Sequence, residues 1–200
     1  MARVKICGLS RAEDIDIVNI ALPDYVGFVF APSSRRIDEY TAAALKDRLD
    51  PKIMSVGVFV NQDVGFVSGL YSRGVIDLAQ LHGDEDEAYI ARLKELCGCP
   101  VIKAVGVEDS LPPYPGNADF LLFDTLSKQR GGTGKAFDWS LLIGFAALPF
   151  FVAGGLSARN VSDVIRTLAP FCVDVSSGVE NNGVKDAEKI YKFVHSVRQS

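Results

Sequence analysis

Short apolar runs alternate along the chain with longer amphipathic segments. The runs are rich in Val, Ile and Phe, and such runs indicate buried β-strands. They predict eight strands, at residues 4–7, 25–30, 55–60, 76–81, 101–106, 119–124, 149–154 and 172–177. The segments between them predict helices that begin near Ser10, Asp38, Gln62, Asp84, Asp138, Ser157 and Lys185. This alternation is typical of repeated β/α units around a parallel sheet.

One crossover departs from the pattern. The segment between the fifth and sixth strands reads VEDSLPPYPGNA, and Pro112, Pro113 and Pro115 exclude a regular helix interior. Eight strands with short crossovers in 200 residues predict an α/β fold, a single (β/α)8 TIM barrel that spans residues 1–200 and has a degenerate fifth helix. A doubly wound open sheet is the alternative that the pattern leaves open.

The first strand, within RVKICGLS, places a cysteine where a β/α unit begins its turn. Ser10 and Glu13 have the spacing of a capping box, so Cys7 is predicted at the carboxyl end of the strand, just before the first helix. Strand alternation puts Lys5 and Cys7 on one face and Val4 on the other. If Val4 packs against the helices, Cys7 faces the barrel lumen.

A lumen-facing Lys5 requires a partner, because an unpaired buried charge is costly. Asp174 in CVDVSS is the predicted partner, with Lys103 in the same network. We interpret this network as structural rather than catalytic.

Composition narrows the function classes. Apolar residues make up 48% of the chain and charged residues 23%, which is ordinary for a soluble globular protein. The longest apolar runs are interrupted by Gly and Pro, no secretory leader is visible, and a cytoplasmic protein without a membrane segment is expected. A net charge of −4 without a basic run argues against nucleic acid as a partner. Two histidines and four cysteines, expected as free thiols, make a zinc site improbable.

In a (β/α)8 barrel the chemistry gathers at the carboxyl ends of the strands. The polar and glycine residues predicted there are Cys7, Arg35, Arg36, Asn61, Gln80, His82, Asp124, Gly154, Gly155, Ser176, Ser177 and Gly178. Cys7 is either an inert buried thiol or a proton acceptor, and Asp124 is either an acid or a cap. His82 either touches substrate or caps a turn. The glycines after the seventh strand and the SSG after the eighth indicate a phosphate cradle of backbone N–H groups.

The stretch GGTGKAFDW follows Asp124 and contains three glycines. It is not a Walker A sequence, because Gln129 and Ala136 stand where that motif needs Gly and Ser or Thr. The stretch Gly131–Gly134 predicts a mobile loop that closes over a ligand, and a plain surface loop is the alternative.

Nine phrases together carry a resemblance that runs from end to end of the chain: VKICGL, VGFVF, VGVFVN, QLHG, IKAVGV, LFDT, GGTGKAFDW, AGGL with NV, and DVSSGVE. In their number and order the chain resembles the phosphoribosylanthranilate isomerase family of tryptophan biosynthesis. The resemblance implies a (β/α)8 barrel without cofactor or metal ion. It implies an Amadori rearrangement of a small phosphorylated substrate, N-(5-phosphoribosyl)anthranilate, to the carboxyphenylamino-deoxyribulose phosphate.

By the same resemblance, Cys7 in KICG is the general base and Asp124 in LFDT is the general acid. An arginine after the second strand is expected to hold the anthranilate carboxylate in a bidentate fork. The family pattern fits Arg35 best, and a register shifted by one residue selects Arg36. The substrate-binding set then comprises Arg35, Arg36, Gln80, His82, Gly154, Gly155, Ser177 and Gly178.

The sequence leaves other functions to be weighed. A related histidine-pathway isomerase uses two aspartates, and a cysteine at position 7 opposes it. A silent phosphate-binding barrel is disfavoured because Cys7 and Asp124 are both present. A redox protein using Cys97 and Cys99 is a third possibility, although this pair is predicted at a helix end that leads into the fifth strand. Whether the protein is a monomer or a homodimer stays open.

Overall fold

The computed structural model of the protein describes residues 1–111, 113–125 and 138–200. Eight parallel strands close into a barrel in chain order, and β8 pairs with β1 to complete it. The strands are β1 Arg3–Cys7, β2 Tyr25–Val29, β3 Met54–Phe59, β4 Leu78–Leu81, β5 Val101–Val107, β6 Phe120–Thr125, β7 Phe150–Val152 and β8 Cys172–Val175. The predicted (β/α)8 barrel is confirmed, and the closed strand order excludes the open sheet.

Helices cover the outside of the barrel. They are α1 Ala12–Ala21, α2 Glu39–Asp47, α3 Val64–Ser72, α4 Glu87–Cys97, α5 Val161–Leu168 and α6 Ala187–Arg198. Four of them begin after an aspartate whose side chain accepts a hydrogen bond from a backbone N–H of the first turn: Asp38, Asp63, Asp86 and Asp186. Such caps satisfy otherwise unpaired donors and fix where each helix starts. In the described part of the chain no helix is long and apolar enough to cross a membrane.

The start of α1 corrects one prediction. The residues that close the first turn are Arg11 and Asp14, not Ser10 and Glu13. Asp14 accepts hydrogen bonds from the backbone N–H groups of Ser10 and Arg11 and pairs with the Arg11 guanidinium. Because Asp14 is buried and bonded in this way, the helix starts one residue later than the serine spacing suggests.

The fifth and sixth crossovers lack a regular helix in their described residues. Residues 108–111 and 113–119 form bends and turns, as the prolines predict. The helix predicted from Asp138 is a short 3-10 helix, Trp139–Leu142, and Asp138 accepts a hydrogen bond from the Ser140 backbone N–H. The predicted Gly131–Gly134 loop and Pro112 lie outside the described residues.

Most of the buried apolar side chains that the structure describes belong to two clusters. Val4 and Ile6 belong to the larger cluster, which packs strands against helices. The second cluster fills the amino-terminal end of the lumen and consists of Tyr25, Val56, Leu78, Ile102, Ala104, Leu122, Phe151, Ala153 and Cys172, with Phe120 and Phe171 packed against it. We call this second cluster the lumen floor. Layers of this kind make a TIM barrel a packed core rather than a pore.

A hairpin that the hydrophobic pattern did not predict follows β8. A 3-10 turn, Ser177–Val179, leads into β9 (Glu180–Asn181), which pairs antiparallel with β10 (Val184–Lys185). Asn182 and Gly183 between them both have positive φ, at 50° and 79°. Two consecutive positive φ values define the tight hairpin turn that Asn-Gly pairs favour.

Candidate active site

A buried ionic layer lies directly above the lumen floor. Lys5 of β1 is fully buried, and its Nζ donates to Asp174 Oδ2 at 2.7 Å and to Gln80 Oε1 at 2.8 Å. Burial alone would lower the pKa of Lys5, but the adjacent Asp174 carboxylate outweighs it and the pKa is raised. The predicted Lys5–Asp174 pair is confirmed, and this layer separates the apolar floor from the upper lumen.

Lys103 does not join this layer, which corrects the prediction that grouped it with Lys5. Its Nζ bonds Glu85 at 2.9 Å and the Gly83 carbonyl at 2.7 Å. On β5 it lies between Ile102 and Ala104, which pack in the lumen floor, so strand alternation turns Lys103 away from the lumen. The pair with Glu85 instead braces the loops that follow β3 and β4, since Glu85 also accepts from the Asn61 backbone N–H at 2.6 Å.

Cys7 lies one step above Lys5 on the same face of β1. It is half-buried and contacts the apolar side chains of Val29, Ala31 and Val58, so its predicted lumen orientation is confirmed. Gly27, its register partner on β2, makes room for it, because a Cβ there would lie 2.6 Å from Cys7 Sγ.

Competing influences set the protonation of Cys7. Burial raises the pKa of the thiol, since it disfavours the charged thiolate, and the Asp174 carboxylate adds to the rise. The ammonium groups of Lys5 and Lys185 act in the opposite direction. The net pKa is above the ordinary value, so Cys7 rests as a thiol at neutral pH.

Asp124 is the penultimate residue of β6, on the far side of β7 and β8 from Cys7. Its carboxylate Oδ2 lies 3.7 Å from Nε2 of His82, which follows β4. The other ring nitrogen, Nδ1, lies 3.3 Å from Nε2 of Gln80. Gln80 is buried and also bonds Lys5, so a chain of polar contacts runs from the ionic layer to Asp124.

The loops after β7 and β8 present backbone donors. Gly154 and Gly155 have φ values of 82° and 69°, a conformation that favours glycine. A Cβ at Gly178 would lie 2.0 Å from the Leu156 carbonyl oxygen, so the two loops approach as closely as glycine allows. Within the described residues, the backbone N–H groups of Gly154, Gly155, Ser177 and Gly178 donate no hydrogen bond. They are therefore available to an anion such as a phosphate.

The two candidate arginines differ in position. The Arg35 side chain passes over the first β/α loop at Gly8, and its Nε and Nη2 donate to the two carboxylate oxygens of Glu180 at 2.8 and 2.7 Å. The Arg36 side chain is exposed, and its backbone bridges to Val29. Only Arg35 therefore lies beside Cys7 and the β8 loop.

Taken together, two groups of predicted residues converge at the upper lumen. Cys7, Arg35, Ser177 and Gly178 lie around β1 and β8, and Gln80, His82 and Asp124 lie around β4 and β6. Asn61 bonds the β4 loop through Asp84 and Glu85 instead of facing this group.

Two residues of the site region were missed by the sequence patterns. Glu180 and Lys185 face each other across the β9–β10 hairpin, and Lys185 Nζ lies 2.6 Å from Glu180 Oε1. The signal that marks this hairpin is the Asn182–Gly183 pair, which is a strong short-range turn indicator. Lys185 also bonds the Ser176 carbonyl at 3.1 Å and is buried.

Comparison with known proteins agrees with this geometry. A family model described as N-(5'phosphoribosyl)anthranilate (PRA) isomerase matches residues 4–196. The chain is 53% identical over 199 residues to the N-(5'-phosphoribosyl)anthranilate isomerase of Endomicrobium trichonymphae, covering 99% of each chain. It superimposes on the crystal structure of phosphoribosyl anthranilate isomerase from Thermotoga maritima with a TM-score of 0.87 at 35% identity, covering 100% of both chains.

A further solved structure of such an isomerase holds a ligand, reduced 1-(o-carboxyphenylamino)-1-deoxyribulose 5-phosphate. It matches this chain with a TM-score of 0.85 at 34% identity and full coverage of both chains.

Proposed function

The chain belongs to the N-(5'-phosphoribosyl)anthranilate isomerase family of tryptophan biosynthesis, and from this membership we propose that the upper lumen is its active site, with Cys7 as general base and Asp124 as general acid. The reaction is an Amadori rearrangement, an aldose-to-ketose isomerisation of the phosphorylated amino sugar. The observation that supports the assignment is the placement of a lumen-facing thiol and a carboxylate at the carboxyl ends of β1 and β6, beside loops with unused backbone donors.

The chemistry requires two separate proton transfers. An acid protonates the ribose ring oxygen as the ring opens, which leaves a positively charged iminium. A base then removes the proton from C2′, and the resulting enolamine tautomerises to the ketone. Groups on different strands suit this sequence, because each reaches a different atom of the same bound sugar.

Cys7 becomes a base only when its proton is lost. Its pKa is raised in the free protein by burial, so the positive charge of the iminium has to favour the thiolate in the complex. Lys5 and Lys185 already act in that direction. The thiol proton passes to solvent, and the thiolate then takes the proton from C2′.

Asp124 has a supporting polar group at hand. His82 approaches its carboxylate at 3.7 Å and is itself next to Gln80. We assign His82 the task of orienting the acid and the bound sugar, and Gln80 the task of holding the His82 ring in place. Of the two residues, half-buried His82 is the one with direct access to substrate, because Gln80 is only 2% exposed.

The two ends of the substrate carry negative charge. Its phosphate fits the N–H groups of Gly154, Gly155, Ser177 and Gly178, because short loops at the end of β7 and β8 bind anions through backbone donors. Its anthranilate carboxylate fits the guanidinium of Arg35, which lies beside Cys7. The same substrate thereby spans the lumen from the phosphate loops to the β2 loop.

The decisive experiment is a fluorescence assay that follows loss of phosphoribosylanthranilate. Cys7→Ala and Asp124→Asn are each expected to lower kcat by about 10²- to 10⁴-fold, because each removes one proton-transfer group. Cys97→Ala is the matched control, since Cys97 ends α4 outside the lumen. Full turnover by Cys7→Ala, or none by the wild type, would contradict the proposal. Unchanged binding of the reduced product analogue by the variants would show that they are folded.

Replacing the two arginines separates their roles. Arg35→Ala is expected to raise KM by about 100-fold, as for loss of a charge-assisted hydrogen-bond pair, with a smaller effect on kcat. Arg36→Ala is expected to change KM by less than about threefold, because its side chain is exposed. Steady-state kinetics on both variants measure the difference, and the reverse ranking would transfer the role to Arg36.

A further inference from the structure

Arg35 is held on one edge only. A guanidinium has five N–H donors arranged along two edges suited to carboxylates. Glu180 accepts from Nε and Nη2, and Nη1 donates no hydrogen bond to any residue that the structure describes. The edge formed by Nη1 and the remaining Nη2 hydrogen is therefore available for a second carboxylate.

The path of the Arg35 side chain is fixed by its surroundings. Its stem crosses the first β/α loop at Gly8, whose φ is 83° and where a Cβ would lie 2.5 Å from Arg35 Cδ. The far end is fixed by the two hydrogen bonds to Glu180. A long, flexible side chain is thereby held in one conformation before ligand arrives, which reduces the ordering entropy that binding would cost.

Glu180 is itself held from three directions. Its Oε1 accepts from Lys185 Nζ at 2.6 Å, and its backbone carbonyl accepts from Lys189 Nζ at 2.6 Å. The β9–β10 pairing fixes its backbone opposite Lys185. Lys185 in turn bonds the Ser176 carbonyl, and the Ser176 hydroxyl donates to the Cys7 carbonyl at 3.0 Å. The arginine is connected in this way to the strand that carries the base.

The charges favour an incoming anion. Two cations, Arg35 and Lys185, flank the single carboxylate of Glu180, so the cluster has a net positive charge. Arg35 and Lys185 together hold the pKa of Glu180 below its ordinary value even though burial acts to raise it, and the carboxylate stays ionised at neutral pH. Without Lys185 the carboxylate of Glu180 would offset much of the attraction that Arg35 exerts on a ligand.

We propose that Glu180 is a positioning residue, which grips the Nε edge of Arg35 so that the Nη1 edge is presented to the aromatic carboxylate of the substrate. The inference rests on the proposed function, because it takes Arg35 as the carboxylate-binding group. Glu180 does not touch the substrate, and it sets specificity for a carboxylated ring through Arg35.

The test compares two ligands that differ by one group: the reduced product analogue, and the same compound with hydrogen in place of its carboxyl group. The Kd of the compound without the carboxyl group, divided by the Kd of the analogue, with both measured by calorimetry, reports carboxylate recognition alone. Arg35→Ala is expected to lower this ratio about 100-fold, and Glu180→Gln about tenfold, because glutamine has one acceptor oxygen and turns an NH2 group toward the guanidinium. Glu188→Gln, which breaks an exposed pair with Lys192 on α6, is the matched control and should leave the ratio unchanged.

The outcomes are distinct. An unchanged or increased ratio in Glu180→Gln, with a lowered ratio in Arg35→Ala, overturns the positioning role and leaves the arginine assignment intact. An unchanged ratio in Arg35→Ala overturns both. In the double variant no loss beyond that of Arg35→Ala is expected, and a further loss overturns the claim that Glu180 acts through Arg35. If Glu180→Gln does not fold, Glu180→Asp replaces it, because its shorter side chain cannot reach both nitrogens and predicts the same direction.

Discussion

The floor and the upper end of the lumen are built from the same strands and differ in what those strands place there. Alternate residues from the start of β8 are Cys172 in the floor, Asp174 in the ionic layer and, just after the strand, Ser176 at the top. Along β4 the corresponding series ends with Gln80 in the layer and His82 above it. Height along the lumen thus decides whether a residue packs in the apolar floor, belongs to the ionic layer, or lies where the strands pass into the loops.

The two lumen cysteines show this difference most directly. Cys172 is buried in the floor, where burial raises its pKa well above the ordinary value. Cys7 is half-buried, and although burial raises its pKa as well, it has Lys5 and Lys185 nearby to oppose the shift. The same residue type is therefore fully buried in the apolar floor in one region and half-buried beside two ammonium groups in the other.

The largest loss of stability is expected from truncating a side chain of the lumen floor. Phe151 is fully buried and packs against Tyr25, Phe120 and Phe171, so Phe151→Ala should lower the free energy of unfolding by about 3–5 kcal/mol. Urea denaturation measures the loss. The kcat of the remaining folded enzyme is expected to stay within about threefold of wild type, and a far larger fall would mean that the floor takes part in catalysis.

The second-largest loss of stability is expected from removing Lys5, the cation of the ionic layer. Lys5→Met keeps the volume but leaves Asp174 buried without its partner, which should cost about 3 kcal/mol of stability. Thermal or urea unfolding measures it. Adding Asp174→Asn removes the unpaired charge and should restore part of the loss, whereas a double variant less stable than Lys5→Met would argue against a simple charge pair.

The proposed role of Cys7 as the base predicts a particular pH dependence of the reaction. Because burial raises the pKa of Cys7, the active thiolate forms only as pH rises, and kcat/KM should still be increasing above about pH 8.5, the ordinary thiol pKa. In Cys7→Asp the rise of kcat/KM with pH should occur at a pH more than one unit lower, since a carboxylic acid loses its proton at a lower pH than a thiol. Measurements of kcat/KM against pH for both proteins test this. The same rise at the same pH in the variant would mean that a group other than residue 7 causes it.

The smallest loss of stability is expected from replacing Cys172, the fully buried thiol of the floor. Cys172→Ala removes one buried sulfur and should cost about 1 kcal/mol of stability without changing kcat.

In a Cys97→Ser background, alkylation of the folded protein at alkaline pH followed by mass spectrometry should modify Cys7 and spare Cys172 and Cys99. The pKa of Cys99 is raised to about 12 by burial. Modification of Cys172 as fast as Cys7 would remove the contrast between the two regions.

Much of this architecture follows from local sequence patterns. Apolar runs marked all eight strands, and alternation on β1 turned Cys7 into the lumen, because both depend on periodicity within one element. The partnership of Lys103 with Glu85 was missed because it joins a strand to a neighbouring loop. The Arg35–Glu180 pair was missed because 145 residues separate its members, and local sequence patterns do not indicate contacts between residues so far apart.

The bond between the Ser176 hydroxyl and the Cys7 carbonyl joins residues 169 positions apart, across the seam where β8 meets β1. The strand that carries Cys7 is therefore synthesised long before the loop that completes the surroundings of Cys7. Contacts between residues so far apart in sequence form slowly, because the entropy cost of closing a large loop precedes the favourable energy of the contacts. A nascent chain in which β8 has not yet been made cannot close the barrel beside Cys7, so the surroundings of Cys7 are complete only after β8 has paired with β1.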